Sequence, residues 1–437
     1  MTAYQTPSWS PYLRIAFRIT FLYFFLQVLP LDANFFHSLG SLQYEDIFNL
    51  AHYAPHFGAG SQQFTDWIIL FVIALAGAAI WTVNGRFKNT DDASLYYWLR
   101  VLLRYRLALA LFAYGFIKFF PLLAPYPSLS NLNTPYGDFN RWKLFSLSLG
   151  IVPSYELFLG GVEILIGLLL LNRRTASIGA FIFLIFAGNV FMSNLAYEGG
   201  DIVFSLYLIT LAFFILSVDI IRIVDVIIFQ RPTAAATFRP AYSNGVKYGR
   251  IVLKSLFVLV FVIIYGFKTG AQETLQFPET PGLPGSAGIY NVSSFVLGQD
   301  TLNYSQTDSS RWQDVVFEKW NTISIRDLHR TIIDSSNEHK ALHPDEARNY
   351  ESEGTNGRHY YSYSIDSIQH VLTLHNKNAH YPKDTWVLHY TLAEKGKIVL
   401  AGLTPGQDSI QVVLDRINKK YLLEEAAKTG RNKHLKL

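Results

Sequence analysis

Three ionisable side chains interrupt otherwise apolar runs of this 437-residue chain: Lys118 in LALALFAYGFIKFFPLL, and Glu156 and Glu163 in YELFLGGVEILIGLLLL. A lysine or glutamate facing lipid costs several kcal/mol, so such groups face a protein interior, pair with one another and often mark function. An ammonium can hydrogen-bond a carbonyl oxygen, and a carboxyl can take or give a proton. Glu156, Gly160, Glu163 and Gly167 are spaced four, three and four, which puts them on one helical face where the glycines permit close approach. Leu107, Leu111, Tyr114 and Lys118 form a comparable stripe, with the phenol and the ammonium one turn apart. At about 1.5 Å per residue, Glu163 lies on the order of 13 Å below the outer end of its span and Lys118 on the order of 8 Å below its own, so their side chains can meet. Asn189 falls at a similar depth, with Asn194 and Asp201 near the outer mouth.

The expected site is therefore Tyr114, Lys118, Glu156, Glu163, Asn189 and Asn194, with Lys118 and Glu163 as the candidate catalytic pair. It has two readings. One is a buried ion pair that fixes helix register, with Asn189 as interhelical glue. The other is a pocket for a small amphipathic ligand such as a quinone head group, held without a covalent bond.

The elements that must position these residues are membrane helices. Half of the residues are apolar and 16% are charged, and the apolar ones cluster into runs too long for ordinary core helices. Seven spans are expected, at about 12–31, 66–83, 101–123, 154–171, 175–195, 202–221 and 249–267. Arg14 and Arg18, then Arg86, Lys88, Arg100, Arg104 and Arg106, then Arg173 and Arg174, then Arg222, Arg231, Arg239, Lys247, Arg250 and Lys254 mark the cytoplasmic side. The loop 32–65 lacks Lys and Arg and is expected outside, as is 124–153 despite Arg141 and Lys143. The amino terminus is then cytoplasmic, the carboxyl terminus external, and the first span a retained signal anchor rather than a cleaved signal.

A Pro/Gly-rich linker at 269–288, containing QFPETPGLPGSAG, separates the membrane domain 1–268 from a polar domain at 289–437. Period-two apolar patterns in IYNVSSFVL, TISIRD, HYYSYSID, IQHVLTLHN, TWVLHYTL and KIVLAGL predict short half-buried strands in a small antiparallel sheet or barrel. SIQVVLDRINKKYLLEEAAK reads as a final helix, and SSNEHKALHPDEARNYESEGTNGRH as a long exposed loop. The fold class is thus an α-helical polytopic membrane protein with a β-rich soluble domain.

RYRLALALFAYGFIKFFPLLAPYPSLSNLNTPYGD, the YELFLGGVEILIGLLLLNRRTASIGA hairpin, NVFMSNLAYEGGD and the helix ending LSVDIIRI resemble the DoxX family of bacterial membrane proteins over about residues 95–225. The hairpin with its interior glutamate and following double arginine is the most specific part, and the extra helices resemble larger members of the family. YEGGDIVFS departs from the family pattern. The resemblance implies a DoxX-like helix bundle in the inner membrane. It also implies association with quinone-linked oxidoreductases, as in the DoxD-type subunit of thiosulfate:quinone oxidoreductase.

Cysteine is absent, which excludes disulfides, thiolate catalysis, Fe–S clusters and cysteine-ligated zinc within this chain. The net charge of +4 gives no case for nucleic acid as a partner. No P-loop, dinucleotide fingerprint, nucleophile elbow or HExxH motif occurs. His52 and His56 have the spacing of a helical metal pair, but Pro55 lies between them and no acidic residue completes a motif, so no metal is expected. They read as outer-loop histidines, in a loop made negative by Glu45, Asp46 and Asp66 beside His37. His339, His343, His359, His370, His375, His380 and His389 are irregularly spaced. Tyr360, Tyr361, Tyr363, Tyr381 and Tyr390, with Trp312, Trp320 and Trp386, either pack a sheet or line a cavity or partner surface.

Three function classes follow: a subunit of a quinone- or thiol-linked oxidoreductase, a non-enzymatic anchor or assembly component of a cell-envelope complex, and a small-solute or lipid transporter. The bilayer and other membrane or periplasmic proteins are the expected partners. A transporter would be favoured by an inverted repeat or broken helices, and neither is visible.

Overall fold

The computed structural model describes residues 10–30, 36, 44–58, 62–84, 91–233, 243–334, 345–393 and 396–429. His37, Arg86, Lys88, Arg239, His339 and His343, and the side chains of Glu45 and Asp46, lie outside the described residues. In chain order the helices are α1 (Pro11–Val28), α2 (Tyr44–His52), α3 (Phe64–Val83), α4 (Asp92–Phe119), α5 (Leu129–Leu132), α6 (Arg141–Gly150), α7 (Pro153–Leu171), α8 (Ala176–Ala196), α9 (Ile202–Ile227), α10 (Asn244–Gly270) and α11 (Leu422–Thr429). The strands are β1 (Gly288–Leu297), β2 (Asp300–Thr301), β3 (Asp314–Phe317), β4 (Thr322–Arg326), β5 (Arg358–Asp366), β6 (Val371–Asn376), β7 (Thr385–Ala393), β8 (Lys397–Leu403) and β9 (Ser409–Arg416). Contacts divide the chain into two units that are not contiguous in sequence. Residues 1–120 and 154–272 form one, and residues 121–153 and 273–437 form the other.

In the helical unit, α3, α7, α8 and α10 are long and apolar enough to cross a membrane, and α9 makes a fifth if its two parts either side of residue 218 are one span. Their outward surfaces carry Ile68, Phe71, Val72, Phe158, Leu165, Ile178, Phe181 and Ile185, all exposed. Water would not tolerate so much contiguous apolar surface, whereas lipid is its natural solvent. The helix α4 is different, because it carries Asp92, Arg100, Arg104, Arg106 and Lys118 along an otherwise apolar length. Its Leu103, Leu107, Leu111 and Phe112 lie at the centre of the core, with Ile166 and Leu170 of α7, Phe183 of α8 and Leu211 and Ile215 of α9. At one end of α4, Arg100 meets Asp219 at 3.3 Å, and Ser177 also donates to that carboxylate.

The other unit is an antiparallel barrel. The strands run β1-β3-β4-β5-β6-β7-β8-β9 and β9 pairs back onto β1, closing eight strands, while the two-residue β2 is a flap on β1. Closure leaves no unpaired edge. A bulge between Val292 and Ser294 shifts the register of β1 against β9. It switches side-chain parity, so that Tyr290 and Val292 before it and Phe295 and Leu297 after it all join the barrel core.

Two sequence expectations need correction. SIQVVLDR is strand β9 rather than helix, because Ile410, Val412 and Leu414 alternate into the barrel core, and only Leu422–Thr429 is helical. The expected exposed loop around 335–359 is buried in its second half, where Arg348, Asn349, Tyr350, Glu351 and Thr355 are all shielded from solvent.

What shields them belongs to the same unit. On β3, β4 and β5 the residues that face away from the barrel core are buried too, among them Asp314, Thr322, Ser324 and Arg358. The segment 121–153 supplies their partners. Arg358 donates to the Thr134 hydroxyl at 3.1 Å and the Asn133 carbonyl at 2.9 Å while pairing with Asp314 at 2.6 Å. Glu318 accepts from the Ser130 and Leu129 amides at 2.7 and 3.2 Å; its burial raises the carboxyl pKa, opposed by these donors. Lys377 pairs with the fully buried Glu351 at 2.7 Å. On α6 the buried Lys143 donates to the Tyr350 carbonyl and sits 3.4 Å above that ring, and burial pulls its pKa down to about 7 against the opposing pull of Glu353 and Glu351.

Candidate functional site

Glycine brings α7 onto α4. A Cβ at Gly160 would lie 2.3 Å from the Phe119 amide nitrogen and 2.5 Å from the Gly115 carbonyl, and one at Gly115 would meet Glu163 Cβ at 3.2 Å. Only two glycines allow the backbones this close. One turn on from Gly160, Glu163 then faces Lys118, and the ammonium reaches Oε1 at 2.5 Å with both side chains nearly buried. Glu163 Oε2 is also buried and has no hydrogen-bond partner among the described residues. Glu156 occupies the same face of α7 and is fully buried.

The network continues past this pair. Lys118 Nζ lies 5.5 Å from the centre of the Tyr114 ring, one turn back along α4. The Tyr114 hydroxyl donates to Asp201 Oδ2 at 3.0 Å, and the other oxygen of Asp201 is 3.3 Å from His52 Nε2. His52 packs edge-on against Phe204 at 4.3 Å and against Tyr114 at 5.9 Å. Arg106 anchors the end of α2 that carries His52, donating to the Ala51 carbonyl at 2.8 Å and to the Tyr53 carbonyl. A guanidinium satisfies the last carbonyls of a helix both as a donor and by charge.

The order Glu163, Lys118, Tyr114, Asp201, His52 thus links α7, α4, the start of α9 and α2. It can hold a polar ligand atom by the Lys118 ammonium; Glu163–Lys118 and Tyr114–Asp201–His52 are the groups within or near hydrogen-bond reach of one another, and Lys118 meets Tyr114 through the ring.

Comparison of the chain with protein-family models, with curated proteins and with solved structures finds no match in any of the three.

Of the residues expected at this site, Tyr114, Lys118 and Glu163 come together and Glu156 lies on the same buried face. Asn189 does not join them. It is exposed, because α8 turns Ala176, Ala180, Phe183, Ala187 and Asn194 inward and position 189 falls on the opposite side. Asn194 is buried, without a side-chain hydrogen bond to the cluster among the described residues. Arg106, expected to flank a span at the cytoplasmic surface, is buried against carbonyls of the segment expected outside. The residues that sequence reading missed are His52, read as a surface histidine, and the part played by Asp201. Both become partners only through tertiary contact, and no spacing along the chain signals it.

Proposed function

We propose that this protein is a DoxX-like, seven-span protein of the bacterial inner membrane, with a cytoplasmic amino terminus and a periplasmic β unit. In this reading α1 and α4 span along with α3, α7, α8, α9 and α10, and the charges of α4 are tolerated because Arg100, Arg104, Arg106 and Lys118 each have a partner inside the unit. Its role is that of a subunit in a quinone- or thiol-linked oxidoreductase system, and the cluster of Tyr114, Lys118, Glu163, Asp201 and His52 is its ligand site.

One observation carries this reading: a buried lysine–glutamate pair whose second carboxylate oxygen has no donor among the described residues, beside a tyrosine that donates to an aspartate lying against a histidine. A purely structural pair would gain by satisfying both oxygens. Conversion of a quinone to a quinol takes two electrons and two protons. The electrons come from a flavin, haem or thiol on a partner chain. Lys118 holds a quinone carbonyl oxygen, the Lys118–Glu163 pair delivers one proton to it and is recharged from water, and water supplies the second proton to the other quinone oxygen, while Tyr114, Asp201 and His52 flank the pair. In a host deleted for the protein, wild type should restore quinone-dependent electron transfer, whereas Glu163→Gln and Lys118→Met should lower it by about tenfold or more, as loss of a general acid does. Full restoration by both variants would overturn the proposal.

A second reading, a membrane anchor presenting a periplasmic binding domain to an envelope complex, is favoured by the cavity in the β unit. Capture of reproducible partner proteins without quinone would support it.

A further inference from the structure

A cavity of about 250 Å³ lies in the β unit, walled by Trp312, Tyr361 and Trp386 with Asp327 and Asp384 among them.

The aromatic walls are held in place. Trp312 and Trp386 meet at 62° with centroids 5.5 Å apart, making a corner of two ring systems. Their neighbour Asp384 fixes the polar edges: it accepts from Trp386 Nε1 at 2.9 Å, from the Tyr361 hydroxyl at 2.9 Å and from Asn376 Nδ2 at 2.8 Å. All three donors are neutral, so they stabilise the carboxylate without cancelling its charge. Asp327, its side chain 12% exposed, accepts from the His329 amide at 2.9 Å and has two imidazoles beside it, with His359 Nε2 at 3.4 Å and His329 Nδ1 at 3.6 Å. Neither carboxylate pairs with a lysine or arginine among the described residues, and none lines the cavity. The same negative field, after burial, raises the Tyr361 phenol above its ordinary range.

Aromatic faces and carboxylates that no lysine or arginine neutralises among the described residues, gathered around one small space, recognise a cation. No group of three metal-ligating side chains occurs among the described residues, and three donors already engage Asp384, so a metal ion is poorly served. We infer that this cavity binds a small organic cation, an alkylammonium group seated among Trp312, Trp386 and Tyr361 between Asp327 and Asp384. The inference is independent of the site in the helical unit. An alkylammonium can be a free solute or the head group of a lipid.

Full-length protein in a maltoside detergent, titrated calorimetrically with choline, dihexanoylphosphocholine and the neutral isostere 3,3-dimethylbutan-1-ol, tests it. The expected result is saturable binding of at least one choline compound, with the neutral alcohol weaker by about tenfold or more. Tighter binding of choline identifies a free solute and tighter binding of the phosphocholine a lipid head group; either supports the site. Asp384→Asn should weaken binding about tenfold, and Asp327→Asn, which leaves the Asp384 contacts intact, provides the same readout if the first variant fails to fold. Equal affinity for the alcohol, absence of saturable binding, or unchanged affinity in a folded Asp327→Asn protein would overturn the assignment.

Discussion

At the scale of single residues, the Lys118–Glu163 pair is defined by what each charge does without the other. Removing one partner leaves a buried charge uncompensated, at a cost on the order of 3–5 kcal/mol. Lys118→Met and Glu163→Leu should therefore each lower the thermal stability of the helical unit in detergent, and the double variant should recover most of the loss. Recovery of stability without recovery of electron transfer separates a ligand role from a packing role. Lys143 makes a prediction of another kind. Its ordinary pKa near 10.5 is depressed to about 7 by burial, so between these values the unfolded chain binds the proton that the folded chain has lost. Stability of the β unit should rise as pH climbs from about 7 towards about 10. Lys143→Met should flatten that rise in melts followed by tryptophan fluorescence, and an unchanged slope would contradict the burial of the charged form. The acid–base pair of the helical unit was legible in the sequence because charge inside an apolar run is conspicuous. His52, in a polar loop, carried no such mark.

At the scale of elements, glycine and side-chain parity do most of the positioning. Gly160→Ala places a methyl within 2.3 Å of backbone that cannot rotate away, so α7 must shift from α4. Overpacking of this kind costs about 1–3 kcal/mol and should disturb the Lys118–Glu163 pair, lowering both stability and quinone-linked activity. In the barrel, β9 offers a test of facing. Val412→Lys directs a charge into the core and should prevent folding, whereas Gln411→Lys points outward and should change stability by no more than about 0.5 kcal/mol. Circular dichroism on the two purified variants distinguishes them. Six of the strands show in the sequence as alternating apolar and polar patterns, β4 among them because the buried residues facing away from the barrel core, Thr322 and Ser324, are polar. Strand β3 does not, because Val315, Val316 and Phe317 are apolar in succession and buried on both faces, and β9 was hidden by the helix-like residues that follow it.

At the scale of the whole molecule, the chain leaves the helical unit after α4, contributes 121–153 to the β unit, and returns as α7. Composition along the chain shows only a polar loop there. Its role depends on contacts with Glu318, Glu351 and Arg358, about two hundred residues further on. A fragment beginning at Glu273 would expose these buried ionic groups. It should be poorly soluble or lack a cooperative melt, while the same fragment fused to residues 121–153 should fold. The most direct test of the functional reading is extraction of lipids from the protein purified in detergent, with quinone measured against protein. The expected result is quinone above the membrane background in wild type and at background in Glu163→Gln and in the folded Lys118→Met/Glu163→Leu double variant. Background quinone in the wild type, or the same enrichment in all three, would contradict a quinone site at Lys118 and Glu163.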